Sequence, residues 1–279
     1  MTSSSTPGPV RSAQHGVEAA ARRPELEWLA RAGLVARGVV YGVIGILALK
    51  LAFRSGGKAA SQRGALETIA HEPLGEVLLI VVSIGLAGYA IWRLVSAAVG
   101  SGGGEEHSGL DRVSALGSGL AYAAVCVTSV EILTGASTTG GSNNPKQATA
   151  GVLGWTGGVV IVAVAGAILI GVALYQGYKG VARKFLEDSK TAEMSREIER
   201  GFTALGVFGH LARMVVFGLI GYGLIKAAID YSPRSAIGLD GALSKLSHSS
   251  YGPLALGVVA VGLIGFALYS IADARYRRV

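Results

Sequence analysis

Apolar residues run in six long blocks, at 34–53, 77–99, 113–133, 155–178, 205–229 and 254–272, and Gly, Pro, Ser and charge collect between them. At about 1.5 Å of rise per residue, each block as a helix crosses a hydrocarbon core of about 30 Å. The pattern predicts an all-α integral membrane protein with six transmembrane helices.

The blocks are copies of one another. GLVARGVVYGVIG at 33–45 returns as GHLARMVVFGLIG at 209–221, with Arg37 over Arg213 and, further along, Lys50 over Lys226. Gly64, Ala65, Leu66 and His71 return as Gly241, Ala242, Leu243 and His248, and Gly85, Leu86, Gly88 and Ala90 as Gly262, Leu263, Gly265 and Ala267. A fainter middle copy runs over 110–185, placing Ala121 under Ala36 and Tyr122 under Arg37; its outer connection, 135–154, is mostly small and polar. Units of two spans share one orientation, so an axis along the membrane normal relates them. The expected architecture is a pseudo-threefold bundle of three tandem two-helix repeats: 25–100, 101–185 and 202–279. Residues 1–24 read as a disordered cytoplasmic tail, and 186–201 as a charged surface helix that links units two and three, either a plain solvated linker, the favoured reading, or a contact for a protein partner.

Composition agrees: 51% of residues are hydrophobic and 15% charged, with mean hydropathy +0.49, against about a quarter charged in soluble domains. The 42 glycines suit close helix packing in lipid, and Gly38 with Gly42, and Gly154 with Gly158, have GxxxG spacing. Cys126, the single cysteine, has no partner for a disulfide or metal site and reads as a small apolar residue. The net charge of +7 reflects topology and not nucleic-acid binding. Lys and Arg concentrate at the termini, near Arg112 and across 179–201, which by the positive-inside rule places both termini in the cytoplasm of a cell-membrane protein. HExxH, GxSxG and GxxxxGK[ST] are missing, and Gly102–Gly104 after Ser101 reads as a linker, so no enzyme activity is expected.

Gly33 with Ala36-Arg37-Gly38, Gly64-Ala65-Leu66, Gly209 with Ala212-Arg213, Gly238-Leu239-Asp240-Gly241-Ala242-Leu243, Tyr251-Gly252-Pro253 and Ala274-Arg275-Tyr276-Arg277 together resemble the bacterial domain of unknown function 1206 family. The resemblance runs from Arg22 to the C-terminus. It implies six spans in three repeats and brings no activity, substrate or cofactor. Met214 departs from the pattern, standing where the first copy has Gly38.

Two sets of polar residues inside the blocks are candidate sites. Arg37, Tyr122 and Arg213 occupy matching depths near the cytoplasmic end. If they converge, two guanidiniums and a phenol suit a phospholipid phosphate or an anionic solute; the favoured alternative is that each Arg snorkels separately to the interface. Arg93, near the cytoplasmic end of the second span, reads as snorkelling too. Lys50, Glu131 and Lys226 lie at similar depth toward the outer face, where they form either a structural ion cluster or the ion path of a small-solute transporter, the alternative function. The repeat-matched His71 and His248, with Glu72 beside the first, lack further ligands, so no metal or cofactor is expected. His210, near the start of the fifth span, is expected at the cytoplasmic interface. The reading favoured is a structural or lipid-interacting membrane component, followed by the transporter and then a membrane-embedded enzyme.

Overall fold

The computed structural model describes residues 24–53, 62–71, 75–99, 109–135, 145–249 and 251–277. The tail expected at 1–24 lies, up to residue 23, outside them, as do Glu72 and the Gly102–Gly104 linker. Nine α-helices are described: α1 (Pro24–Ala52), α2 (Gln62–Ala70), α3 (Gly75–Val99), α4 (Gly109–Thr134), α5 (Pro145–Leu153), α6 (Gly158–Val181), α7 (Arg196–Ile229), α8 (Leu239–Ser247) and α9 (Gly252–Tyr276). Six of them, α1, α3, α4, α6, α7 and α9, are long and apolar enough to cross a membrane. One end of the bundle carries the start of α1 and the end of α9 and is called the terminal end. The short helices α2, α5 and α8 lie at the other, far end.

Local chemistry sets the boundaries. Pro24 and Pro145 occupy first positions, where the missing N–H is not needed. Ser195 caps α7 by accepting from Ile198 N at 3.3 Å, and Glu197 and Glu199 in the first turn complement the helix dipole. Gly157, at φ 81°, makes the left-handed corner between α5 and α6. The Gly154–Gly158 pair belongs to this corner and does not serve as a helix-packing motif. The middle unit's outer connection, read as a small polar loop, holds the helix α5, so each unit has a short far-end helix.

Around the bundle the helices run α4, α3, α1, α9, α7, α6. The tightest pairs join the second helix of one unit to the first helix of the next: α3 to α4, α6 to α7, and α9 back to α1. Residue offsets confirm the threefold relation. Gly45 faces Ala260 and Ile264 across α1/α9, and Gly221 faces Gly166 and Ile170 across α7/α6, each pair at the same repeat positions. Met214 fits by an exchange: Gly38 faces Ile271, whereas Met214 lies against Gly177, the residue that matches Ile271 in the middle unit. Large and small have traded helices, and the spacing is preserved.

Within units one and three the two helices also pack. A Cβ at Gly33 would collide with Tyr89, and one at Gly209 with Phe266, while Gly85 takes Ala36 and Gly262 takes Ala212. In the middle unit the corresponding residues are Ser118, Val172, Ile168 and Ala121, and α4 and α6 do not pack as the other pairs do. Side chains replace the hydrogens that close approach requires, so this joint stays open. The short helices repeat the asymmetry: α2 packs on α1, α3 and α4, and α8 on α7, α9 and α1, whereas among the described residues α5 packs on α6, α7 and the 3₁₀ turn Pro233–Ser235 but not on α4.

The linker 186–201 differs from the expected surface helix. After α6 the chain makes 3₁₀ turns at Lys184–Leu186 and Thr191–Glu193, and from Arg196 it already belongs to α7. The segment folds back across the terminal end. Phe185 is fully buried among Phe202, His210 and Tyr269, Met194 is buried, and Lys190 N donates to Tyr276 O at 2.6 Å. The reason is the apolar spacing of Phe185 and Met194, which a helix would have carried into water.

Candidate functional site

The terminal half of the bundle encloses a cluster of charge and aromatic rings. Arg37, on α1, is buried; its Nε donates to Ser270 Oγ at 3.2 Å and its Nη1 to Tyr89 OH at 2.8 Å. Its Nη2 lies 3.9 Å from Asp273 Oδ2. Asp273 is fully buried on α9, one residue past the apolar block read from sequence, and Arg277 one turn on donates to it at 2.8 Å. Ser189, from the folded-back segment, donates to Asp273 Oδ1 at 3.4 Å. Asp188 beside it pairs with Lys179 at 3.0 Å and Arg277 at 3.6 Å. Burial opposes the charge on Asp188, but Lys179 and Arg277 outweigh it and hold the carboxyl below its ordinary range. At Arg277 burial likewise opposes the charge, and Asp273 and Asp188 push the guanidinium above its ordinary value.

Arg213 is in a different position. Its Cζ lies 4.5 Å from the Phe266 ring centroid, 5.1 Å from Phe217 and 5.5 Å from Tyr41. Its Nε is buried without a hydrogen-bond partner, and among the described residues no carboxylate pairs with it. Arg37 lies over the same Phe266 ring at 5.0 Å and over Tyr89 at 5.2 Å. Tyr122, on α4, meets Tyr89 edge-on with centroids 4.7 Å apart. The structure thus brings Arg37, Tyr122 and Arg213 to one aromatic centre built on Phe266, Tyr41 and Tyr89. Arg93 lies on its edge, donating to Ser118 Oγ at 2.6 Å and stacked on Trp92, again without an acid among the described residues. Among the described residues of the cluster, the cations Arg37, Arg93, Lys179, Arg213 and Arg277 outnumber the acids Asp188 and Asp273, an excess of positive charge.

One polar contact recurs at each tight pair. Arg93, Gln176 and Ser270 hold the same position in the second helix of their units, and each bonds to the first helix of the following unit. Arg93 donates to Ser118, Gln176 Oε1 lies 2.7 Å from His210 Nδ1, and Ser270 accepts from Arg37. His210 therefore lies inside the bundle, contrary to the expected interfacial position, because α7 begins at Arg196, well before the apolar block. Its ring stacks on Phe185 at 5.3 Å, and its Nε2 is buried without a partner.

The second candidate set stands on α1, α4 and α7. Lys50 and Lys226 are exposed in the last turns of α1 and α7, where the helix dipole favours a cation. Glu131 is half-buried on α4, and among the described residues no ion pair joins the three. Half-buried Cys126 directs Sγ at Ser83 O, 3.6 Å away. His71 and His248 have matching local roles: each Nδ1 bonds to the carbonyl four residues back, Glu67 O at 2.6 Å and Ser244 O at 2.8 Å, at the end of a short helix. No group of three or more potential metal ligands occurs among the described residues.

Sequence reasoning missed Asp273, Arg277 and Tyr89. The first two were legible as an acid and a base one helical turn apart, directly after the last apolar block.

The fold and the cluster define a class: multi-pass helical membrane proteins made of three copies of a two-helix unit. Three successive matches to the family described as Domain of Unknown Function (DUF1206) cover residues 32–100, 113–183 and 208–277, and the chain belongs to that family. It is 32% identical over 259 residues to "Uncharacterized protein YxxB" of Bacillus subtilis (strain 168), covering 92% of this chain and 93% of the relative. No solved structure matches. The family matches leave out 184–207, which includes the segment folded across the terminal end.

Proposed function

We propose that the protein is a lipid-interacting component of the cell membrane, termini in the cytoplasm, that holds the anionic headgroup of a phospholipid at Arg213. Tyr122 supplies a phenol and Arg37 a fixed positive field. The observation that carries this reading is the contrast between the two arginines. Arg37 is matched by Asp273, Ser270 and Tyr89, whereas Arg213 is stacked on three rings with no acid beside it among the described residues. An uncompensated guanidinium in a low-dielectric interior is costly, and a phosphate satisfies its planar fork of donors. Native mass spectrometry tests it. The wild type is expected to retain phosphatidylglycerol in preference to zwitterionic phosphatidylethanolamine, and Arg213→Gln to lose that preference by about tenfold, as for a lost charge-assisted pair. Equal retention of both lipids by the wild type would sink the reading.

A further inference from the structure

We infer that the open joint between α4 and α6 is the lateral passage by which the lipid reaches Arg213, and that its acyl chains remain lodged there. The inference rests on the headgroup reading above and adds a route and a second contact surface.

Three observations carry it. The terminal end is covered by the folded-back segment, with Phe185 fully buried among Phe202, His210 and Tyr269. At the far end, among the described residues, α2 packs across α1, α3 and α4, α8 across α7, α9 and α1, and α5 on α6 and α7. On the sides, every neighbouring pair of long helices packs closely except α4 and α6. The walls of that joint are apolar and uncovered: Ile168 is 57% exposed, although its counterparts Gly85 and Gly262 are buried against Ala36 and Ala212, and Ala121 is exposed, although Ala36 and Ala212 are buried. Leu120 beside Ala121 is exposed as well.

The charge pattern selects a lipid over a second copy of the chain. Arg213 lies about 12 Å inside the apolar part of α7, counted from Leu205 at about 1.5 Å per residue; it and Arg93 stand on α7 and α3, the helices packed behind α6 and α4, and neither has a carboxylate partner among the described residues. An occupant that is apolar along the joint and anionic at its terminal-end depth complements this surface. An anionic phospholipid has that form. A second copy would bring the same excess of arginines to the interface and repel it.

The test uses the full chain in detergent, with dioleoyl phosphatidylglycerol and dioleoyl phosphatidylethanolamine as probes and native mass spectrometry as the readout. Ala121→Trp fills the joint from an exposed position. It is expected to lower retention of both lipids about tenfold, whereas Arg213→Gln is expected to abolish only the preference for the anionic one. Undiminished retention of both lipids by Ala121→Trp would overturn the passage while leaving the headgroup site standing. Loss of both lipids in Ala121→Trp with an unchanged anionic preference in Arg213→Gln would keep the passage and overturn the site. A wild-type dimer that Ala121→Trp splits into monomers would show that a second copy covers the joint, and would overturn the inference. If Ala121→Trp does not fold, Ile168→Trp on the opposite wall gives the same readings.

Discussion

At the scale of residues, two arginines at one repeat position do opposite things. Removing Arg37 strands Tyr89 and Ser270 and leaves buried Asp273 with Arg277 and Ser189, whereas removing Arg213 deletes a charge that no acid among the described residues balances. Arg37→Met is therefore expected to destabilise the protein by about 2 kcal/mol or more, and Arg213→Met to leave the thermal midpoint in detergent unchanged or higher. Scanning fluorimetry of the two variants side by side measures this, and an equal drop in both would contradict it. Asp188 gives a pH signature. Its carboxyl titrates below the ordinary value, so its pairing stabilises fully above the usual carboxylate range and is lost as pH falls through its lowered value in the fold. Stability of the wild type should fall between about pH 5 and pH 3 more steeply than that of Asp188→Asn. The convergence of Arg37 and Arg213 was not legible in the sequence, since repetition sets depth but not facing. It needed Phe266, a ring on the last helix that touches both.

Among elements, the long helices were legible because apolar length and glycine content survive any arrangement, and α2 and α8 were legible as equivalent segments because their residues repeat. Helix α5 was not, since Gln147, Ala148, Thr149 and Ala150 lack the apolar spacing by which α2 and α8 announce themselves; it forms on Pro145 and packs beside α6. The linker was misread for the opposite reason. Its charges suggested a solvated helix, yet Phe185 and Met194 draw it under the bundle. The exchange at Met214 and Gly177 can be tested directly. Gly177→Ile should prevent accumulation of folded protein, because two large side chains would share one crossing. Adding Met214→Gly, which recreates the Gly38/Ile271 arrangement, should restore it, as read by monodisperse elution in detergent. Failure of the double variant to recover would mean that the two crossings are not equivalent.

For the whole molecule, sequence repeats and packing units are out of step: the chain repeats as α1–α3, α4–α6 and α7–α9, while its tightest pairs are α9/α1, α3/α4 and α6/α7. The start of α1, the end of α9 and the segment 184–195 lie at one end, so a reporter inserted at exposed Ala192 should report the same side as one at the C-terminus, and the cytoplasmic side if the orientation proposed above holds. Ser189 is unsuitable for this purpose, being fully buried against Asp273. The open middle joint also bears on how the protein is made. During synthesis α4 finds α3 already in the membrane, but α6 emerges without a close neighbour and waits for α7. A ribosome paused after α6 would leave an unaccompanied apolar segment in the bilayer, so the interval before α7 inserts is when the nascent chain depends most on the insertion machinery. The four helices on one side of the open joint, α1 to α4, and the five on the other, α5 to α9, would dock as preassembled blocks, with α9 meeting α1 last.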